Sequence, residues 1–243
     1  MKRMMAGLLM AALSGVAQAA PQINVGSLYD YLDDGSSTML KRIRNLGDTT
    51  AFVKVSVVEL VYDQNGKVSE VSHEGAAVAD RPLIASPARL IVPANGVQAV
   101  RLLYRGERDR ERYFRLRFVP VLPESGDGFA ISEEEARRYE TDLKAGVNIL
   151  AGYGTLIFIR PQQVRYSTEI NEAGNQFSVR NAGTGTVVLD HFNHCDSKGT
   201  QCGVATKHHI RPGLNRAFDR EPGRVYRFEL IEGAERRRVE IKG

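Results

Sequence analysis

Long apolar runs are missing from most of this sequence. After residue 16, no segment approaches the length needed to cross a bilayer, so we expect no membrane insertion. The exception is the beginning, where two basic residues precede the apolar residues 4–16 and Ala17-Gln18-Ala19 fits an A-x-A cleavage site. We predict a signal peptide over residues 1–19 and export of the remaining chain, about 224 residues.

Signatures of enzyme chemistry are also missing. Residues 125–128 contain a serine without the strand–turn–helix setting of a nucleophile elbow. The Gly-Tyr-Gly at residues 152–154 lacks the third glycine and the following helix of a dinucleotide-binding loop. The three glutamates at residues 133–135 fit a solvated face better than catalytic carboxylates. We therefore predict a protein that is not an enzyme and needs no cofactor.

Cysteine is scarce, with Cys195 and Cys202 as the only two. In an exported chain, a closely spaced pair predicts a local disulfide that closes a short loop. The alternative is a metal site, because four histidines at residues 191–209 supply further ligands for zinc or copper. The group lacks a recurrent zinc spacing, and His208 and His209 would point to opposite faces of a strand. We favour the disulfide and predict no bound metal.

Tryptophan is absent, but alternating β-branched residues recur, which favours β structure. The clearest strand is Ala51–Tyr62, followed by a hairpin turn at residues 63–66. Near-regular spacing of short strands up to residue 123 indicates a β-sandwich. The other strands predicted there are residues 23–32, 39–45, 82–92, 97–104 and 113–119.

A second group of strands follows Pro161 and predicts a smaller β-sandwich. Proline restricts its own φ and its neighbour, so we place a stiff boundary between residues 20–160 and 161–243. Residues 123–146 break the strand pattern: Ser132 and Glu135 form a potential capping box for a short helix, and a mobile loop is the alternative. The strands predicted in the second sandwich are residues 163–170, 176–181, 186–192, 208–211, 215–219, 225–231 and 237–241.

Residues 147–161 combine two strand patterns. The first half alternates, whereas residues 156–159 form a continuous apolar run. Alternation is typical of a strand covered on one side, and a continuous run of one buried on both sides. We therefore expect a partner chain to cover the alternating half. Its apolar face consists of Val147, Ile149, Ala151 and Tyr153.

The formal net charge is +4, and arginine outnumbers lysine. Because an exported protein rarely meets nucleic acid, we predict carboxylate recognition instead, for which the planar guanidinium is suited. Arg115 and Arg117 would share a strand face, and Arg101 interrupts another apolar strand. A solvated outer face is the alternative for all three. We favour a binding role for Arg115 and Arg101, and leave Arg117 open.

These features together resemble the periplasmic pilus chaperones of the chaperone–usher pathway. The chain is most similar to the alternative branch that serves common-pilus and cable-pilus fimbriae. The resemblance covers the whole mature chain through short motifs in the same order. Those motifs are residues 86–93, 99–102, 112–116, 154–161 and 211–219, with the two cysteines before the last.

The resemblance implies an all-β fold of two Ig-like β-sandwich domains in an L or boomerang arrangement. It implies that the chain binds pilin subunits by donor-strand complementation and delivers them to an outer-membrane usher. The donor side chains would be Val147, Ile149, Ala151 and Tyr153. Self-association through this strand is a further expectation for the free protein.

The family anchors the subunit's terminal carboxylate with a basic pair that this chain lacks. Residues 23–32 contain no lysine or arginine, and Leu156 stands where lysine is usual. The resemblance implies Arg115 as the replacement anchor, with Arg101 second.

The resemblance also implies an interdomain ion pair of Arg160 with Glu111 or Asp219. The sequence leaves two other functions open: an exported structural pilus subunit or adhesin, and a periplasmic metal-binding protein. A subunit should begin with an N-terminal donor extension, whereas the alternation here is internal.

Overall fold

The computed structural model describes residues 20–124, 126–144 and 150–243. The predicted signal peptide and the predicted donor residues Val147 and Ile149 lie outside these ranges. Within the described ranges, no helix is both long and apolar enough to span a bilayer.

The described residues form mostly β-strands with one α-helix, which confirms the predicted fold class. The first strands are β1 (Ile23–Asn24), β2 (Tyr29–Leu32), β3 (Thr38–Asn45), β4 (Ala51–Tyr62), β5 (Val68–Ser72), β6 (Leu83–Ser86), β7 (Arg89–Val92), β8 (Val97–Tyr104) and β9 (Arg112–Pro120). Helix α1 (Glu133–Lys144) and β10 (Tyr153–Ile159) follow. The last strands are β11 (Thr168–Ala173), β12 (Gln176–Asn181), β13 (Val187–Asp196), β14 (Thr206–Ile210), β15 (Asn215–Asp219), β16 (Arg224–Glu232) and β17 (Glu235–Lys242).

Two sheets pack around the first hydrophobic core, whose members lie between residues 23 and 159. One sheet has the order β1-β3-β8-β6, and the other has the order β2-β10-β9-β4-β5, with β7 also paired to β4. The core side chains come from alternating positions of both sheets, as expected of a sandwich. They include Leu102 of β8, Phe114 and Leu116 of β9, and Ile157 of β10.

Two predicted strands are each divided between the sheets. Residues 23–32 were expected to form one strand, which is wrong: β1 pairs with β3, whereas β2 pairs in parallel with β10. Gly26, with φ of 70°, lies at the break and has the backbone freedom that this change of sheet requires. Residues 82–92 likewise divide at Pro87, since β6 pairs with β8 and β7 with β4.

The remaining strands surround a second core, whose members lie between residues 177 and 241. Its sheets have the orders β11-β12-β15 and β14-β13-β16-β17. Strand β11 begins at Thr168, later than predicted, and β13 extends to Asp196 past an irregularity between Leu189 and Phe192. The predicted disulfide is present: Cys195 at the end of β13 is bonded to Cys202.

Helix α1 confirms the helical alternative for the connection between β9 and β10. The capping box is formed in both directions, since the backbone N–H of Glu135 donates to Oγ of Ser132 (3.2 Å) and that of Ser132 donates to Oε2 of Glu135 (2.8 Å). Tyr139 attaches the helix to the first sandwich. Its ring packs edge-on against Phe52 of β4 (4.8 Å between centroids), and its hydroxyl donates to the carbonyl of Thr50 (2.7 Å).

Candidate functional site

Strand β10 lies between β2 and β9, and its two faces differ. Thr155, Ile157 and Ile159 point into the first core and are fully buried. On the other face, Leu156 is half-buried and Phe158 is covered by aromatic rings. The continuous apolar run is therefore buried on both sides over most of its length, as its pattern predicts.

The described donor residues continue the core-facing row of β10. Tyr153 has the same alternation as Thr155 and Ile157, yet 36% of its surface is exposed; β2 begins to pair with β10 only at Leu156. Ala151 precedes the strand and is exposed. A row that is core at one end and exposed at the other has the form required for strand donation, and the donor role itself stays a prediction.

Arg115 and Arg117 share the outer face of β9, as the alternation predicts. The direct cross-strand neighbours of Arg115 are Leu156 on β10 and Val58 on β4. Both arginines contact one carboxylate, that of Glu70 on β5: Nη1 of Arg115 binds Oε1, and Nη2 of Arg117 lies 2.5 Å from Oε2. Sequence reasoning missed Glu70.

Arg101 lies on the other sheet of the first sandwich. Its neighbours Val100 and Leu102 are fully buried in the core, so its exposed side chain points away from β9. The structure therefore does not bring Arg101 and Arg115 to one site. Only Arg115 of the two expected anchors lies beside β10.

Arg160 follows β10 and is 4% exposed. Its Nη1 lies 3.3 Å from Oε1 of Glu111 and donates to the carbonyl of Thr186 at 2.9 Å. Of the two predicted partners, Glu111 is therefore the one in contact. Asp219 lies elsewhere and accepts a hydrogen bond from Gln176 (2.9 Å).

Glu111 is held by donors from both sandwiches. It accepts hydrogen bonds from the backbone N–H of Thr186 (2.9 Å) and from the hydroxyl of Tyr113 (2.9 Å). Burial raises the pKa of Glu111 above its ordinary value, while the bonds from Thr186 and the charge of Arg160 oppose that rise. The ion pair is thus one part of a buried network that joins the two cores.

An aromatic contact missed by the sequence reasoning also joins the sandwiches. The hydroxyl of Tyr31 on β2 lies 2.7 Å from Nε2 of His209 on β14, and the imidazole stacks on Phe158 at 5.0 Å. Burial lowers the pKa of His209 to about 4. His208 packs instead on Phe192 in the second core, so the two histidines do point apart. Only the alternation could have indicated that one of them faces away from its own core.

Beside this contact, a cavity of about 320 Å³ opens between the two sandwiches. Arg211 lies in it with its guanidinium carbon 3.3 Å from the centroid of the Tyr62 ring, a cation–π arrangement. The cavity is lined by residues of both sandwiches, among them charged side chains such as Glu59 and Arg112. Its first-sandwich lining includes Leu60 and Tyr113, which continue the outer face that carries Arg115.

The metal alternative concerns the histidines and cysteines of the second sandwich. Both cysteines are bonded to each other. Among the described residues, no group of three or more histidine, cysteine, aspartate or glutamate side chains is arranged to hold a metal ion.

Known fimbrial chaperones resemble this chain in sequence and in structure, although no family model matches it. The probable fimbrial chaperone EcpB of Klebsiella pneumoniae is 26% identical over 220 residues, covering 88% of this chain and 86% of that protein. The class 5 fimbriae chaperone CfaA superposes with a TM-score of 0.56 at 19% identity, covering 91% of this chain and 99% of CfaA.

A third similar structure is the CsuC–CsuE chaperone–tip adhesion subunit pre-assembly complex of Acinetobacter baumannii. It superposes with a TM-score of 0.53 at 14% identity, covering 92% of this chain and 99% of the chain compared. At such low identity the two solved structures establish the fold.

Proposed function

Since the chain is a fimbrial chaperone of the chaperone–usher pathway, we propose that it binds pilin subunits in the periplasm by lending them the strand that leads into β10. The family works by binding, without covalent chemistry. Delivery of the bound subunit to an outer-membrane usher is part of the same proposal.

The exposed start of β10 is the observation that carries strand donation. In strand addition, main-chain hydrogen bonds provide affinity and alternate side chains fill the partner's pockets. Tyr153 and Ala151 continue a core-facing row beyond the part of β10 that pairs with β2, where a partner can bury them. Burial of the predicted donor residues Val147 and Ile149 would contribute about 1.5–3 kcal/mol each.

Solved structures of this fold include chaperones with a subunit bound. CsuC is found in a pre-assembly complex with the tip adhesion subunit CsuE. SafB, a Salmonella enterica chaperone, is found in complex with the pilin SafA, with a TM-score of 0.52 at 14% identity. By analogy, we infer a pilin or tip subunit as the partner of this chain.

Arg115 is the anchor that we propose for the subunit's terminal carboxylate. It lies directly beside Leu156, the position at which the family's usual lysine is replaced. Its side chain is 37% exposed, so an incoming carboxylate can reach it. Arg101 lies on the other sheet of the first sandwich and is the control position for this anchor.

Three further proposals concern processing, domain organisation and self-association. We infer that residues 1–19 are a signal peptide removed on export, and that the chain divides into domains at Pro161. In support of the division, the first core ends at Ile159 and the second begins at Phe177. Self-association through the donor strand is proposed for the free chain, because it would cover the same exposed row.

Co-expression with the pilins encoded beside this chain tests the function. We expect intact pilin in periplasmic extracts with the wild-type chain and degraded pilin without it. Ile149→Asp should abolish this protection, because a charge on the donor face cannot enter an apolar pocket. Leu40→Asp is the control, since Leu40 is 52% exposed on β3 of the other sheet.

Pilin levels measured by immunoblot, with chaperone levels measured alongside, decide the outcome. Equal degradation with and without the wild-type chain would exclude the chaperone function for those pilins. Full protection by a normally folded Ile149→Asp variant would instead remove the donor-strand assignment.

A further inference from the structure

We propose that Glu70 is an internal competitor for the subunit's carboxylate: it occupies the arginine pair of the anchor site and sets the affinity of that site for an incoming chain. This inference rests on the proposed function, in which Arg115 is the anchor. It adds a residue that determines how readily the anchor accepts its ligand.

The first argument is the geometry of the contact. Each oxygen of the Glu70 carboxylate accepts a hydrogen bond from one guanidinium: Oε1 from Arg115 and Oε2 from Arg117. A terminal carboxylate presents the same two oxygens on one carbon. The arrangement that Glu70 adopts is thus one that a chain terminus could take at the same two arginines.

The second argument is the reach of the side chain. Glu70 lies on β5, and its direct neighbour on β4 is Leu60, which in turn faces Tyr113 on β9. The contact spans β4: Glu70 on β5 meets the long side chains of Arg115 and Arg117 from β9 over the outer face of β4. Two guanidiniums at one carboxylate give this place a positive potential.

The third argument is that this contact can be displaced at small cost. The side chain of Glu70 is 31% exposed, and those of Arg115 and Arg117 are 37% and 42% exposed. Ion pairs with this exposure contribute little to stability, because water and salt screen them. All the residues of β5 are exposed as well, so few packing contacts hold Glu70 in place.

The charges also favour replacement of Glu70 by an incoming carboxylate. Two guanidiniums and one carboxylate leave the group with one net positive charge, so it still attracts an anion. While Glu70 is in place, a free carboxylate gains little by binding. A subunit whose strand pairs beside β10 is held close to the arginines, and its terminus can then replace Glu70. Glu70 therefore makes the anchor selective for carboxylates delivered together with a donor-strand partner.

The test uses the full mature chain and a peptide copying the C-terminal strand of a pilin encoded beside it. The peptide is made as the free acid and as the amide, and binding is measured by fluorescence anisotropy. The wild-type chain should prefer the free acid. Glu70→Gln should strengthen free-acid binding about two- to fivefold and leave amide binding unchanged, because it removes one exposed carboxylate competitor. The gain should shrink at high salt.

Two further variants control the result. Glu240→Gln removes the same charge from an exposed ion pair with Arg227 in the second sandwich and should change neither peptide's affinity. In an Arg115→Ala background, Glu70→Gln should have no effect on the free acid, since the site for which Glu70 competes is gone.

The outcomes separate this inference from the anchor on which it rests. If the wild-type chain binds acid and amide equally, the anchor is wrong. If it prefers the acid but Glu70→Gln leaves that affinity unchanged or weakens it, the anchor stands and the competitor role of Glu70 is overturned, because Glu70 would then only orient the arginines.

Discussion

Glu111 and Arg160 differ in how each can respond to the loss of the other. A buried carboxyl can take up a proton, and burial already raises the pKa of Glu111. A guanidinium cannot lose its proton in a protein. The two halves of the same ion pair are therefore unequal in what their removal costs.

We expect Glu111→Gln to lower the free energy of unfolding by about 3 kcal/mol, because it leaves the buried Arg160 charge without its carboxylate. Arg160→Met should cost less, since Glu111 becomes neutral by protonation. Asp33→Asn is the control: Asp33 is 3.9 Å from Arg160 but 79% exposed, so its loss should stay within about 0.5 kcal/mol. Urea denaturation of the three variants measures this, and equal losses for Glu111→Gln and Arg160→Met would refute the asymmetry.

Alternation along a strand allowed individual side chains to be assigned to faces. It placed Arg115 and Arg117 on the outer face of β9 and separated His208 from His209, as the structure has them. It could not reveal Glu70 as the partner of Arg115 and Arg117. That contact depends on which strand lies beside β4, and strand order depends on long-range pairing that a local pattern does not contain.

Among the elements, the strands that the sequence missed or misjudged are those without a one-sided pattern. Strand β5 is exposed at every position, so no alternation marks it. Residues 23–32 were predicted as one strand because the strand pattern continues across Gly26, where the chain changes sheet. By contrast, Ala51–Tyr62 and Val97–Tyr104 were predicted with their observed bounds, since each has a buried face.

Helix α1 is attached to the first sandwich through Tyr139 and also buries Leu143. A helix of this length is marginal by itself, so most of its stability should come from packing. We expect Tyr139→Ala to increase hydrogen exchange in α1 at least about tenfold while β4 stays protected, because the Phe52 contact and the bond to Thr50 are both lost. Arg138→Ala, at a side chain 75% exposed, is the control. Unchanged exchange in α1 of Tyr139→Ala would show that other contacts hold the helix.

At the scale of the whole molecule, His209 couples the contact between the two sandwiches to pH. Its imidazole lies against Tyr29, Tyr31 and Phe158 of the first sandwich. Burial lowers its pKa from 6.5 to about 4; the charge of Lys207 adds to this and that of Asp190 opposes it. The folded chain therefore keeps His209 neutral over a range in which the unfolded chain protonates it.

The sign of the effect follows from proton uptake. Between about pH 6.5 and pH 4 the unfolded state binds more protons at this residue, so stability is complete above that range and falls as the pH falls through it. We expect the urea midpoint of His209→Gln to depend less on pH there than that of the wild type. His191→Gln, at a side chain 78% exposed, should keep the wild-type dependence. Parallel curves for wild type and His209→Gln would exclude this contribution.

The offset between the two neighbours of β10 sets a limit on any strand added beside it. Pairing with β9 begins at Tyr153, whereas pairing with β2 begins only at Leu156, where the backbone N–H donates to the carbonyl of Leu28 (2.8 Å). In the proposed strand donation, a guest strand running along this edge would meet β2 at Leu156 and could go no further. Strand β2 would then set one end point for every guest, whatever its side chains, at the position of β10 whose neighbour on β9 is Arg115.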